Sequence, residues 1–158
     1  MNEQTGFVSV AQICAKEEEE LQFTRFSRAD ALALGLLIAE NAKEYEQGVA
    51  IEITVNGLTV FRYFPEGTTH DNELWLRRKY NTVTLTGKSS LHALADLEVS
   101  GETPEDRKLD HKDYAFGGGG FPIILRGTGM VGVAAVSGLT HWQDHVLVSD
   151  SIRQFLSE

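Results

Sequence analysis

The side chains best able to do chemistry crowd into one short stretch: Thr140, His141, Asp144 and His145 follow directly on the Ser137-Gly138 turn. A histidine titrates near neutral pH and suits proton transfer, so His145 steered by Asp144 is a candidate acid/base pair. His141 and His145 also stand at i, i+4, the spacing of two metal ligands on one helix face. His141 is expected to precede the helix, however, with Asp144 on another face, and no metal site is assigned. The same residues admit a plainer reading. Ser137-Gly138 is then a tight turn, Asp144 a first-turn acid favoured by the helix dipole, and His145 a core histidine.

Upstream, Tyr114 to Gly138 holds eight of the fifteen glycines, four of them consecutive at Gly117 to Gly120. Glycine-rich loops cradle phosphate when they join a strand to a helix and carry a Lys at the right place. Gly117 to Gly120 instead lead into Phe121-Pro122 and a strand. Gly127 to Gly132 spells G-x-G-x-x-G, but it starts in a hairpin turn and runs into a strand, where a dinucleotide fingerprint must open a helix. Neither nucleotide motif has its structural context. Signatures of serine hydrolases, zincins and zinc ribbons are absent too. Arg77-Arg78-Lys79, beside Trp75, is the only basic run. It reads either as solvated cations laying their stems on an aromatic ring or as an anion clamp facing the glycine loop.

Net charge narrows the partners. At −9 the chain is unsuited to nucleic acid or an anionic membrane surface, because both rely on clustered Lys and Arg. No apolar run approaches the ~18 residues of a membrane span, and no secretory leader is read. The single cysteine, Cys14, cannot form an internal disulfide, which fits a reducing cytoplasm, and is expected to be a small core residue.

The elements that must position these residues follow from periodicity. Val8 to Leu21 reads as an amphipathic helix ending in Glu17 to Glu20, an acid run expected to be a solvated face. Gln22 to Phe26 alternates as a short edge strand. Ser27 and Asp30 form a capping box for a buried helix to about Tyr45. Val49 to Val55 alternates with period two and meets Asn56-Gly57, a strong hairpin signal. A helix capped near Thr69 or Asp71 carries Leu76, Tyr80 and Val83 inward. A short helix over Ser89 to Leu97 and a polar loop to Tyr114 come next. Strands at Phe121 to Arg126 and Met130 to Val136 precede a last helix, about Gln143 to Phe155, with His145, Val148 and Ile152 on one face. Hairpins separated by helices make an α+β fold in a single domain, 1–158, in which 1–20 is an N-terminal helical extension.

Two blocks carry a family resemblance. Asp71, Asn72, Trp75, Arg77, Arg78 and Lys79 match D-N-x-x-W-[IL]-R-R-K. Gly118, Gly119, Phe121, Pro122, Gly132, Ser137, Gly138, Asp144 and His145 match H/G-G-G-F-P-I, G-x-V-G-V-x-x-V-S-G-L and D-H. Over about residues 21–155 the chain resembles a family of small proteins in the haem-degrading-domain superfamily, alongside GlcG-like and HbpS-like proteins. The resemblance implies a three-layer α/β/α sandwich around an antiparallel sheet of about five strands, and assembly as a homo-oligomer, a dimer or larger. Some relatives bind haem or iron, which makes haem the candidate cofactor. Many carry a His before the glycines where this chain has Phe116-Gly117, so that position offers no iron ligand here.

Three functions follow. The first is a binding module whose pocket is formed by Trp75, Arg78, Lys79, Gly118, Gly119, Phe121, Ser137 and Gly138 and holds a small anionic ligand. The second is an enzyme with His145 as acid/base and Asp144 as its orienting partner. The third is a structural assembly using Trp75, Phe121 and Trp142 as interface anchors.

Overall fold

The computed structural model describes residues 3–158. Helix α1 runs Glu3–Glu20, α2 Arg28–Asn41, α3 His70–Thr86, α4 Ser90–Ser100 and α5 His141–Ser157; strands are β1 Ala50–Val55, β2 Leu58–Tyr63, β3 Gly120–Leu125 and β4 Gly129–Ser137. Local chemistry sets most of these bounds. Ser27 Oγ accepts from Asp30 N at 3.1 Å, and Asp30 Oδ2 accepts from Ser27 N at 2.8 Å, which closes the expected capping box. The α2 helix stops at Asn41, short of Tyr45, because Ala42–Glu44 tighten into a 3-10 turn. Asn56 and Gly57 have φ of 50° and 81°, the left-handed pair that the β1–β2 turn requires. Thr69, not Asp71, caps α3.

One boundary differs in a way that matters. His141 lies inside α5 as its first residue, because Thr140 caps the helix and Gln143 returns the bond to the Thr140 N–H. This T-x-x-Q box is a standard start signal and shifts the helix two residues earlier than its apolar stripe suggests.

The sheet has the order β2-β1-β4-β3 and is antiparallel throughout. It contains four strands where about five were expected. The Gln22 to Phe26 strand contracts to one parallel bridge, in which Phe23 N donates to Ile124 O and Arg126 N donates to Phe23 O. Helix α2 must begin at Arg28, which leaves no length for a ladder. The buried Phe23 ring, against Phe26 and Phe155, fixes the segment instead.

Strand alternation divides the core in two. Ile51, Ile53, Phe121, Ile123, Ala134 and Val136 face α2 and α5, where Leu34, Ile38, Val148 and Ile152 cover them. Ala50, Val133 and Ala135 face α3, covered by Leu76 and Val83. Helices on both faces give the three-layer α/β/α sandwich. Tyr80 is only half-buried on α3, whereas Lys79 and Thr82 join the inward face. The acid run of α1 is split as well. Glu19 and Glu20 are exposed, but Glu17 turns to His145 on α5, and Glu18 to His92 and the Ser89 N–H. Among the described residues no helix is long and apolar enough to cross a membrane.

The Asp30 half of the α2 cap is pH-sensitive. The Ser27 backbone N–H holds the Asp30 carboxyl below its usual 3.8. A depressed folded-state pKa contributes stability above the unfolded value and loses it as pH falls through the folded one. Asp30→Ala is expected to cost roughly 0.3–1.5 kcal/mol in urea unfolding at neutral pH. The gap to the wild type should then close as pH is taken below 3.8.

Candidate functional site

Lys79 and Asp144 come from helices on opposite faces of the sheet and meet at the end of β4. Lys79 lies one turn beyond Leu76 on the inward face of α3, so the fold that buries Leu76 also buries the lysine stem. Its Nζ donates to Asp144 Oδ2 at 3.0 Å and to Val136 O at 2.7 Å. Asp144, in the first turn of α5, accepts from Leu139 N at 3.1 Å through Oδ1. Both residues are almost wholly buried, at 4% and 3% exposure. Burial pushes the lysine down and the carboxyl up from their ordinary values, and the pair's mutual attraction opposes both shifts.

The glycine run is shaped around this pair. A Cβ on Gly119 would stand 2.6 Å from Val136 O and 2.7 Å from Lys79 Nζ, and one on Gly118 would run into His141 O. Gly119 also has a φ of 127°, outside the range comfortable for an L side chain. The glycines therefore let the chain lie directly on the ion pair and the start of α5. Nearby, Asn72 Nδ2 donates to Ser137 O at 3.3 Å, and a Cβ on Gly138 would stand 2.4 Å from Gly48 O.

The structure thus brings Lys79, Gly118, Gly119, Ser137, Gly138 and Asp144 into one closely packed knot. It places the other sequence candidates elsewhere. Arg78 Nε donates to Lys112 O at 3.1 Å, and its guanidinium lies 4.8 Å over the half-exposed Trp75 ring, on the outer flank of α3. Phe121 is fully buried in the core, with its ring 6.0 Å from that of His145. His145 Nε2 lies 2.8 Å from Glu17 Oε1, and Nδ1 is buried without a partner among the described residues. Asp144 and His145 are neighbours in sequence, but the first pairs with Lys79 and the second with Glu17. Burial alone would raise the Glu17 pKa; the hydrogen bond and charge of His145, with Ser149 and Arg153, hold it below 4.5.

The larger opening lies on another side. A cleft of about 540 Å³ separates α2 and its 3-10 turn from β1 and β2. Leu36, Ala39, Val49 and Phe61 supply apolar wall, and Tyr45 and Tyr63 add phenols. At the rim, Lys43 bonds Glu40 at 2.7 Å, and Arg62 is divided between Glu52 and Glu73. Its lining comes from three stretches, each ordinary on its own. The one available signal was an apolar-all-round α2 that cannot be buried all round: Leu32 and Leu36 are 53% and 57% exposed.

These features define a small α/β/α domain with an open four-stranded sheet, a buried ionic knot at one sheet end and a lateral cleft. The chain belongs to the haem-degrading HbpS-like family, whose pattern it matches over residues 26–153. A UPF0303 protein of Rhizobium rhizogenes is 43% identical over 138 residues, covering 87% of this chain and 85% of the relative. The crystal structure of the Ybr137w protein superposes with a TM-score of 0.86 at 31% identity, over 93% of this chain and 87% of the other. The crystal structure of a PduOC–haem complex shares the fold, with a TM-score of 0.65 at 19% identity over 81% and 93% of the two chains.

The ionic knot makes a quantitative prediction. Asp144→Ala leaves a buried ammonium without its partner and is expected to cost about 3–5 kcal/mol in denaturant unfolding. The double variant Lys79→Met/Asp144→Leu should regain most of that loss. A single variant within about 1 kcal/mol of the wild type would show that the pair is not desolvated in solution.

Proposed function

We propose that the protein binds a flat, macrocycle-sized ligand of the haem class in the cleft between α2 and the β1–β2 hairpin. The observation that carries this reading is the cleft itself, with its apolar wall and its volume of about 540 Å³. Small-molecule and cofactor pockets span roughly 300–1,000 Å³ and are lined mainly by apolar and aromatic side chains. Membership of the haem-degrading HbpS-like family and the haem complex of a protein with the same fold support the choice of ligand.

The donor set suits the ligand with one particular emphasis. Among the cleft's lining residues only Tyr45 and Tyr63 carry a side chain of a type that ligates haem iron, and tyrosinate is an established haem ligand. Arg62 is fixed by two carboxylates, but Lys43 is held only by the exposed Glu40. An exposed pair is worth about 0–1 kcal/mol, so Lys43 is free to turn to a ligand carboxylate. Iron, when present, brings the redox chemistry; the chain supplies walls, a phenol and a cation. The sequence-derived residues Lys79, Ser137, Gly138 and Asp144 then act by position, because Gly138 backs directly on Gly48, which lines the cleft next to Val49.

Titration with haem is expected to give a saturable Soret band. Ala39→Trp, which fills the cleft, should weaken it at least about tenfold, the loss of roughly 1.4 kcal/mol of contact. Tyr45→Phe/Tyr63→Phe should change the iron spectrum while metal-free protoporphyrin still binds. No saturable band, or one indifferent to Ala39→Trp, would overturn the reading.

The same reading takes the protein to work as a homo-oligomer in the reducing cytoplasm. Its support is the exposed apolar face of Leu32 and Leu36 beside the edge strand β2, where Leu58 and Tyr63 are 51% and 48% exposed. Edge strands and contiguous apolar patches are the surfaces that self-association covers. Light scattering should give at least twice the 17.5 kDa chain mass, and Leu32→Glu/Leu36→Glu should lower it. A monomeric wild type would refute this part.

A further inference from the structure

We propose that Cys14, Glu17 and His145 form a binding site for a divalent metal ion of the zinc class, which fastens α1 to α5. The three donors converge from two helices. Cys14 and Glu17 stand at i, i+3 on the inward face of α1, and His145 projects from α5, with Glu17 Oε1 already 2.8 Å from His145 Nε2. One ligand atom from each residue lies within 4.8 Å of the others. Tetrahedral zinc brings a thiolate sulfur and an imidazole nitrogen to roughly 3.5 Å, so side-chain rotation alone can close the set. Thiolate, imidazole and carboxylate together select zinc, cobalt(II) or a similar borderline ion; magnesium and calcium prefer oxygen alone.

The surroundings favour a cation. Cys14 is 1% exposed, and the carboxylates Glu17, Glu18 and Asp96 surround its thiol with negative charge. A thiol in that condition is inert, whereas coordination would replace its proton, which leaves to solvent, by a metal–sulfur bond. His145 is 4% exposed, and its Nε2, the nitrogen that would take the ion, already faces the Glu17 carboxylate. The Ser89 hydroxyl lies beside the Cys14 thiol and the Ser149 hydroxyl beside Glu17, polar neighbours of the kind that orient metal ligands. The one opposing cation among the described residues, Arg153, is 3.6 Å from Glu17 Oε2 but half-exposed and already bonded to Asp150, so it can withdraw to water. Three protein ligands leave a fourth position for water. None of these residues lines the α2–β2 cleft, so the site stands independently of ligand binding there.

Cobalt(II) titration of the chelator-stripped full chain decides the matter. One equivalent should bind, with thiolate-to-cobalt charge transfer in the near ultraviolet and visible ligand-field bands, and zinc should bleach both. Cys14→Ser should abolish the charge-transfer band. Glu17→Gln and His145→Ala should each weaken binding at least about tenfold. Wild-type protein without a charge-transfer band, or a band that survives Cys14→Ser, would overturn the proposal. The wild-type reading stands even if His145→Ala folds poorly.

Discussion

A buried ammonium and a buried carboxylate, 3.0 Å apart, hold the three layers in register. Lys79 belongs to the helix on one face of the sheet and Asp144 to a helix on the other, and the Val136 carbonyl between them belongs to the sheet. Taking two charges out of water costs several kcal/mol each, which their attraction offsets only when geometry and hydrogen bonding are good. Here Asp144 gains the Leu139 N–H and Lys79 gains the Val136 carbonyl. Any slip of α3 or α5 along the sheet would separate the charges while leaving them buried. The pair therefore penalises wrong arrangements more than it rewards the right one. The glycines at 118 and 119 are its geometric consequence, because no side chain fits between the loop and the pair.

Helix α1 is attached on a different principle. Its inward face presents Cys14, Glu17 and Glu18, which meet Ser89, His92, Ser149 and His145. Polar and ionisable contacts of this kind are directional and conditional, where an apolar stripe would be neither. The body of the domain, closed by two apolar clusters and the ionic knot, does not draw its core from α1 before Leu21. An element docked in part through titratable groups can be tightened or loosened by what binds there.

What was legible in the sequence was whatever local chemistry dictates. Asn56-Gly57 fixed the first hairpin, Ser27 and Asp30 the start of α2, and the spacing of Leu76 and Val83 the inward face of α3. The family blocks implied the three layers. The rest depended on partners distant in the chain. Lys79 on a helix flank looks solvated until Asp144, 65 positions later, is placed beside it. Glu17 and Glu18 look like surface acids until His145 and His92 arrive, 128 and 74 positions away. Gln22 to Phe26 alternates like a strand, yet the cap at Ser27 left no room for a ladder. The Thr140–Gln143 box is legible in sequence too, and it, not the apolar stripe, sets the start of α5 at His141.

The two family blocks and the cleft occupy different residues. Asp71, Asn72, Trp75, Arg77, Arg78, Lys79 and the matched positions from Gly118 to His145 are all absent from the cleft's lining, which comes instead from α2, its 3-10 turn and the β1–β2 hairpin. Within the blocks Lys79, Asp144 and the glycines lock the frame while Trp75, Arg77 and Arg78 lie on the outer flank of α3, and the cleft wall is drawn from sequence outside both blocks. A frame fixed by a desolvated ion pair tolerates little change, since removing one partner strands the other. A half-exposed wall of Leu36, Ala39, Phe61 and Tyr63 tolerates much more. On the proposed reading, what the cleft holds depends on Tyr45, Tyr63 and Lys43, which lie outside the matched blocks.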